Sequence, residues 1–186
     1  MEFGIAFKGD LGMPRMVALG RQAEAAGFDY IWFFDSHILW SDPYTEVAVC
    51  MEHTERVRFD PLVTTNPKVR DWSVAGATFA VLADMSGGRF DLGVGRGDSS
   101  MRVMGRKPAT LAETAEFVHA MKTLVRGDAI EYEGSTTPVQ FEWTHGHELP
   151  VWFAAYGPKA LTTAGAHGDG LVVQLADPGL TTFFAS

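Results

Sequence analysis

The fold is indicated by eight consecutive residues, Tyr30-Ile31-Trp32-Phe33-Phe34-Asp35-Ser36-His37. The first five are apolar without alternation, as expected for a strand that is covered on both faces. Three polar residues follow directly, at the point where such a strand would end. The stretch therefore predicts a buried parallel strand that delivers polar side chains to one edge of a sheet.

Strand and helix patterns alternate on both sides of this stretch. Pro14 and Gly27 bracket one helical pattern, Asp71 can cap a second, and Thr110–Glu113 form a capping box that opens a third. Such alternation predicts a parallel sheet. We predict strands at Phe3–Phe7, Tyr30–Phe34, Val57–Val63, Arg89–Gly95, Pro150–Ala155 and Leu171–Leu175, and helices near residues 14–26, 42–55, 71–85, 110–125 and 158–166.

Polar residues recur at or just after the ends of the predicted strands. A barrel builds its site from many strand ends at once, whereas an open sheet concentrates its site near one switch point. We therefore favour an α/β fold of the TIM (β/α)8 type over a doubly wound sheet. Because only about six βα units are predicted, we expect an incomplete barrel in a single domain over residues 1–186. The polar residues are Lys8, Asp35, Ser36, His37, Thr64, Thr65, Asn66, Arg96, Asp98, Tyr156 and Gln174.

Residues 128–149 interrupt the alternation. Tyr132 and Val139 flank the turn-forming run Gly134–Pro138, and two further aromatic residues follow. Apolar residues around a short run of turn formers are typical of a hairpin. We predict a small inserted β-hairpin over residues 128–149.

The composition excludes several classes of protein. Of 186 residues, 46% are hydrophobic and 20% are charged, which is the profile of a globular chain and not of a disordered one. The formal net charge is −8 and no basic run stands out, so nucleic acid and anionic membrane surfaces are not expected partners. Cys50 is the single cysteine, and the longest apolar stretch, residues 74–83, is too short to cross a bilayer. A soluble, cytoplasmic protein is predicted.

The run Gly93–Gly97 carries three glycines at alternate positions. It is similar to a dinucleotide-binding fingerprint, but the third glycine comes one place early and Asp98 stands at the required position. At strand period, the glycines face one way and leave room for a flat ring such as an isoalloxazine. Alternatively, they relieve crowding or bend the strand. Both interpretations remain open at this point.

His37 is the histidine best placed for chemistry, because it follows a buried strand and the polar pair Asp35-Ser36. It can exchange protons near neutral pH, and a neighbouring carboxylate or hydroxyl can orient its ring. The alternative is a histidine that only packs at a strand end. His145 and His147 lie in a predicted loop without an evident third ligand, so no metal site is predicted.

Gly157–Lys159 join the fifth predicted strand to its helix. Pro158 at the first helical turn leaves backbone N–H groups of its neighbours free, and the helix dipole favours an anion there. The run is therefore either a phosphate cradle or a plain tight turn.

Three motifs together resemble the bacterial luciferase-like monooxygenase superfamily, and within it most closely the deazaflavin-dependent oxidoreductases that use coenzyme F420. The motifs are Ala25–Trp32 (AAGFDYIW), Ser86–Gly97 (SGGRFDLGVGRG), and Ala155–Pro158 (AYGP) followed by Gly168–Gly170 (GDG). In order and spacing they span nearly the whole chain.

The resemblance implies a TIM barrel that holds F420, or alternatively FMN, with its ring inside the carboxyl-terminal mouth. It implies hydride transfer between the cofactor and a small organic substrate, with His37 assisting proton transfer and Asp98 as its partner acid or base. It also implies a non-prolyl cis peptide beside the ring at Leu62-Val63. The expected cofactor contacts, including the anion cradle, are Asp35, Ser36, Leu62, Val63, Thr65, Arg96, Gly97, Tyr156, Gly157 and Lys159.

The chain also departs from the family pattern. Met101 stands where some relatives have a cofactor-binding Asn, and Asp60 and Pro61 stand where a Gly and a small residue are usual. Family members usually continue for many residues beyond the sixth strand. An FMN-dependent monooxygenase, a non-catalytic flavin-binding protein and an inactive fragment therefore stand as alternatives.

An incomplete barrel leaves two outer strands. Phe3–Phe7 and Leu171–Leu175 are apolar and lack the charges that usually protect an edge strand. We expect either a longer natural chain or a partner that covers the gap, most simply a second copy, and a homodimer is predicted.

Overall fold

The computed structural model describes residues 1–61, 66–131, 136–174 and 177–185. Strands and helices alternate through these ranges, as the sequence predicts. The strands are β1 (Gly4–Phe7), β2 (Tyr30–Phe33), β3 (Arg58–Pro61), β4 (Leu92–Val94), β5 (Val151–Ala154) and β6 (Gly170–Val172). The helices are α1 (Met13–Ala25), α2 (Pro43–Met51), α3 (Trp72–Ser86), α4 (Asp98–Val103), α5 (Leu111–Val125), α6 (Pro158–His167) and α7 (Pro178–Ala185).

The six strands are parallel and follow one another in chain order. β1, β2 and β3 form one ladder, and β4, β5 and β6 form another. A parallel bridge between Phe59 and Phe90 joins the two ladders. Phe59 donates its N–H to the Arg89 carbonyl at 2.8 Å, and its own carbonyl accepts the N–H of Asp91 at 2.8 Å. Consecutive parallel strands with helical crossovers are the arrangement of a TIM barrel.

One face of the strands, here called the outer face, packs under the helices. Phe33 and Phe59 stack on it with ring centres 6.5 Å apart, and Phe79 of α3 lies 5.7 Å from Phe90. All four side chains are 1% exposed or less. Because successive residues of a strand point to opposite faces, the intervening residues face the barrel interior. These inner-face residues include Tyr30, Trp32, Arg58, Asp60, Asp91, Gly93 and Trp152.

The helices begin where the sequence signals predict. The Thr110 hydroxyl accepts the N–H of Glu113, and the Glu113 carboxylate accepts the N–H of Thr110. Asp71 accepts the N–H of Ser73 at the start of α3, which ends at Gly87 in a left-handed conformation, φ 61°. Within the described ranges, no helix combines the length and the apolar character needed to cross a membrane.

Several boundaries differ from prediction, and two helices were not predicted. β4 is shorter than the predicted Arg89–Gly95, because Phe90 contributes only a bridge and the chain turns toward α4 after Val94. α4 has six residues and begins after Gly97, whose φ of 81° is left-handed. A helix this short carries too few turns for a periodic apolar pattern. α7, eight residues long, begins at Pro178.

The segment that follows α5 contains one antiparallel bridge. Ile130 and Val139 exchange two backbone hydrogen bonds of 2.9 and 2.8 Å. This bridge lies within the residues 128–149 for which a hairpin is predicted. Residues 132–135, where the chain would turn, lie outside the described residues, so the hairpin stays a prediction, as does the single domain over residues 1–186.

Candidate functional site

A cavity of about 500 Å³ opens at the carboxyl ends of the strands, and we call it the mouth cavity. Its walls come from the segments that follow β2, β4, β5 and β6, so four strand ends meet in one place. This is the edge at which barrel enzymes build their sites. The lining residues are Phe34, Ser36, Leu39, Trp40, Gly95, Arg96, Gly97, Asp98, Ser99, Ser100, Ala154, Ala155, Tyr156, Gly157, Ala160 and Gln174.

The wall that faces the barrel interior is formed by two small residues and one aromatic residue. Gly95 and Ala154 have minimal side chains, and Phe34 presents a ring. Each lies two residues beyond an inner-face residue of its own strand, so all three point inward at the top of the barrel. Two small residues beside an aromatic ring make a wall against which a flat ring would fit.

The three glycines of the run Gly93–Gly97 are required for different reasons. A Cβ at Gly93 would collide with the Pro61 carbonyl oxygen, and one at Gly97 would collide with the Asn66 side chain. Gly95 lies between them and lines the mouth cavity. Gly93 and Gly97 therefore relieve crowding, whereas Gly95 forms part of the cavity wall.

The segment after β4 brings two charged side chains to the mouth cavity. Arg96 donates from its Nε to the Ala109 carbonyl at 2.6 Å, which fixes its guanidinium against the start of α5. Asp98 is the first residue of α4 and is exposed. A guanidinium held by a hydrogen bond and an exposed carboxylate thus both line the cavity wall.

The segment after β5 contributes Tyr156 and Gly157. The Tyr156 hydroxyl accepts the N–H of Gln174 at 3.1 Å, which links the segments that follow β5 and β6. Gly157 precedes α6, and no atom lies within 4 Å of the position that its Cβ would take. The first N–H groups of a helix have no partner inside the helix. Lys159 is exposed and does not line the cavity.

The three polar side chains that follow β2 lie in different places. Asp35 is buried and accepts a hydrogen bond of 2.6 Å from the Tyr44 hydroxyl of α2. Ser36 lines the mouth cavity, whereas His37 is exposed and is not a lining residue, although Leu39 and Trp40 are. The structure therefore brings Ser36 and Asp98 to the cavity and leaves His37 at its outer edge.

The predicted site residues thus fall into three groups. The structure brings to the mouth cavity Ser36, Arg96, Gly97, Asp98, Tyr156 and Gly157. It does not bring there Asp35, His37 and Lys159. Leu62, Val63 and Thr65 lie outside the described residues, and so does the predicted cis peptide.

The barrel interior below the cavity holds a group of polar side chains that was not predicted, although Asp60 stands out as a departure from the family pattern. Arg58 donates from its Nε to an Asp91 oxygen at 3.1 Å and also contacts it through Nη2. Trp152 donates from its indole nitrogen to the other Asp91 oxygen at 3.0 Å. Asp60 and Tyr30 complete this group, which we call the inner cluster. Strand period could have found it, because Arg58 and Asp60 flank the buried Phe59.

Burial governs the proton affinities of the inner cluster. Burial and the neighbouring Asp91 raise the pKa of Asp60 well above its usual range, and the N–H of Gly93 acts in the opposite direction. Burial also raises the pKa of the Tyr30 phenol, with Asp91 adding to the effect. The inner cluster therefore favours neutral forms at these two positions.

A second cavity, of about 590 Å³, is lined largely by α5, with Trp72 of α3 and Ile130 also contributing. None of the predicted site residues lines it. The mouth cavity, which holds six of the predicted site residues, is therefore the candidate functional site.

The sequence of this chain is similar to those of known oxidoreductases. A 5,10-methylenetetrahydromethanopterin reductase from Archaeoglobus fulgidus is 29% identical over 185 residues, which cover 96% of this chain and 54% of that protein. An F420-dependent hydroxymycolic acid dehydrogenase from Mycobacterium tuberculosis is 28% identical over 178 residues, which cover 88% of this chain and 49% of that protein. The chain spans about half the length of the curated relatives it matches.

The comparison with solved structures shows the fold. The structure of the coenzyme F420 dependent tetrahydromethanopterin reductase from Methanopyrus kandleri matches with a TM-score of 0.82 and 23% identity, over 96% of this chain and 57% of that chain. The predicted α/β fold, an incomplete TIM-type barrel, is therefore confirmed. The family model for luciferase-like monooxygenases matches residues 1–183, and the chain belongs to that family.

Proposed function

We propose that this chain forms the cofactor-binding part of an oxidoreductase that uses coenzyme F420 to move hydride to or from a small organic substrate. One observation carries the proposal: four strand ends meet at a cavity of about 500 Å³ whose inner wall is formed by Gly95, Ala154 and the ring of Phe34. The relative from Mycobacterium tuberculosis, an F420-dependent dehydrogenase, supports the choice of cofactor. The relative from Archaeoglobus fulgidus, a reductase, supports the reaction type.

The residues of the mouth cavity fit a flat, anionic cofactor. Gly95 and Ala154 would lie against the ring, and Arg96 would contribute a fixed positive charge beside it. Gly157 would let a phosphate approach the first turn of α6, where backbone N–H groups and the helix dipole favour an anion.

When bound, the deazaflavin would supply the hydride chemistry, and the protein would supply orientation and proton handling. Asp98 would orient or relay protons at the cavity wall, where its carboxylate is exposed. His37 would exchange protons from the outer edge of the cavity, next to Ser36. Trp40 and Leu39 would exclude water from the same edge.

FMN is the second candidate cofactor, and a monooxygenase is the second candidate function. The family to which the chain belongs is described as luciferase-like monooxygenases, and a wall of Gly95, Ala154 and Phe34 would accept an isoalloxazine as readily as a deazaflavin. A non-catalytic flavin-binding protein would share this wall and would differ in doing no chemistry with a substrate.

We further propose a cytoplasmic homodimer. Val74, Val81 and Met85 are exposed along α3, which is more apolar surface than one isolated side chain gives. Cys50 is buried and free, which suits a reducing compartment. Analytical ultracentrifugation of the purified chain, expected to show a dimer, tests the oligomeric state.

The cofactor is tested by purifying the chain and recording the absorbance and mass spectrum of any bound small molecule. Fluorescence titrations with F420 and with FMN then compare the two. Tighter binding of F420 supports the proposal, tighter binding of FMN favours the monooxygenase, and binding of neither would contradict both.

The phosphate position is tested by Gly157→Glu. The added bulk and negative charge at the start of α6 should weaken cofactor binding at least about tenfold, whereas Lys159→Ala should matter less because backbone N–H groups carry the interaction. Equal affinities of the wild type and Gly157→Glu for F420 would contradict this position.

A further inference from the structure

Asp60 is a buried acid for which the proposed function gives no role. It lies on β3 with its side chain in the barrel interior, and its exposed fraction is 0%. Within the described residues, neither carboxyl oxygen has a partner at hydrogen-bonding geometry, although the N–H of Gly93 lies near. An unpaired carboxylate is costly to bury, so such a group normally becomes neutral.

The neighbouring strand is shaped to accommodate this carboxyl group. A Cβ at Gly93 would lie 2.8 Å from Asp60 Oδ1, which is closer than real Cβ contacts. The Asp60 side chain therefore occupies the space that Gly93 leaves inside the barrel. Its location is built into the packing of β3 against β4.

No cation is available to Asp60 among its described neighbours. Arg58, the cation of the inner cluster, is bound to Asp91, and Trp152 donates to the same carboxylate. Tyr30 of β2 is the remaining titratable neighbour, and burial keeps its phenol neutral. Asp60 thus faces one negative charge, that of Asp91, and the arrangement favours a proton on Asp60.

Asp60 lies one layer below the mouth cavity. It pairs in register with Trp32, and Gly93 pairs with Trp152. Two residues further along these strands, Phe34, Gly95 and Ala154 line the cavity. Two residues of a strand rise about 7 Å, so the carboxyl lies within reach of the electric field of a bound ring without touching it.

We propose that Asp60 is a redox-tuning residue: protonated, it leaves the inner cluster neutral and favours the negatively charged, hydride-loaded form of a ring bound in the mouth cavity. A neutral ring that accepts a hydride becomes an anion by conservation of charge unless a proton follows. With Asp60 protonated, Arg58 and Asp91 cancel, whereas ionised Asp60 leaves a net negative charge beneath the ring. The inference rests on the proposed function, since it assumes a hydride-accepting ring in this cavity.

The coupling is reciprocal, as thermodynamic linkage requires. A negatively charged ring strengthens the hold of Asp60 on its proton, and loss of that proton weakens the binding of the charged ring. The affinity of the oxidised, less negative ring should respond less. The quantity that reports on Asp60 is therefore the ratio of the two affinities as a function of pH.

The experiment measures dissociation constants of oxidised and reduced F420 across a pH series for the wild type, Asp60→Asn and Asp128→Asn. In the wild type and in Asp128→Asn, ionisation of Asp60 should weaken binding of reduced relative to oxidised F420 about tenfold. This change corresponds to a shift of about 30 mV in the two-electron potential of the bound ring. Asp60→Asn, neutral at every pH, should lack the change.

A second measurement does not depend on the cofactor. Carbon-13 NMR of chain labelled at the aspartate carboxyl carbons should show one carboxyl that is still protonated at neutral pH, and its signal should be absent from Asp60→Asn. Fully ionised aspartates would overturn the inference and leave the proposed function standing. An identical pH dependence in the wild type and Asp60→Asn would also overturn it, and failure to bind either F420 or FMN would overturn it together with the proposed function.

Discussion

The mouth cavity and the inner cluster lie one layer apart in the same barrel, but they are built in opposite ways. The mouth cavity consists of segments that follow the strands, and its polar side chains, such as Asp98, reach solvent. The inner cluster consists of side chains on or directly beside the strands, and its carboxyl groups are fully or almost fully buried. The exposed side chains of the mouth cavity can therefore vary at low cost in stability, whereas each polar group of the inner cluster depends on its neighbours.

The largest expected loss of stability comes from breaking the ion pair between Arg58 and Asp91 in the inner cluster. Arg58→Met would leave Asp91, whose side chain is 1% exposed, without its cation and next to a second acid. Removing one partner of a buried pair typically costs about 3 kcal/mol or somewhat more, and we expect about 3 kcal/mol here because Arg58 is partly exposed. Urea denaturation measures the loss.

The matched control is Arg126→Met, which breaks an exposed pair with Asp128. Surface pairs contribute roughly 0–1 kcal/mol, so this variant should differ from the wild type by less than about 1 kcal/mol. Similar losses in the two variants would contradict the contrast between the two layers.

The next prediction compares the stability cost of replacing one glycine in each region. Gly93→Ala forces a Cβ against the Pro61 carbonyl and the Asp60 carboxyl, so we expect a loss of about 2 kcal/mol in stability. Gly157→Ala places its Cβ in open space and should change stability by less than about 0.5 kcal/mol. Chemical denaturation of both variants tests the pair, and a tolerated Gly93→Ala would show that the barrel interior can expand.

The sequence predicted the features that depend on local signals. Thr110 and Glu113 are three residues apart, so their capping box could be read directly, and the apolar run from Tyr30 to Phe34 gave a strand to within one residue. The meeting of strand ends followed from parallel pairing alone. These features need no knowledge of which distant residues touch.

Of the features that were missed, one depends on a tertiary contact and the other on the geometry of a local turn. Asp60 and Asp91 are 31 positions apart, and their proximity depends on the register that the Phe59–Phe90 bridge sets. The outward position of His37 depends on the turn in which the Ser36 carbonyl accepts the N–H groups of Leu39 and Trp40. The sequence placed His37 at a strand end, but it could not give the direction of its side chain.

The pH dependence of stability should separate the buried acid from the exposed ones. The folded-state pKa of Asp60 is raised, so its contribution is present below the unfolded-state pKa and is lost as pH rises through the folded-state pKa. Wild-type stability should therefore fall on the alkaline side of the ordinary aspartate range. Asp60→Asn should flatten this decline in a series of urea midpoints, and Asp128→Asn should retain it.

The smallest expected effect on stability appears at acid pH and comes from an acid on the surface, Glu113. A backbone hydrogen bond from Thr110 and an ion pair with Lys68 lower the pKa of Glu113 from 4.5 to about 2. A lowered folded-state pKa contributes stability above the unfolded-state pKa, and that contribution is lost as pH falls between these two values. Because the side chains of Glu113 and Lys68 both reach solvent, salt should screen the effect.

Glu113→Gln isolates this acid contribution. Glutamine keeps the hydrogen bond of the capping box to Thr110 but has no charge for Lys68. The variant should lose part of the acid-side slope in low salt, little of it in high salt, and none of the alkaline decline that belongs to Asp60. A Glu113→Gln variant that altered the alkaline side would mean that the surface and the inner cluster are coupled, which their separate positions on α5 and β3 argue against.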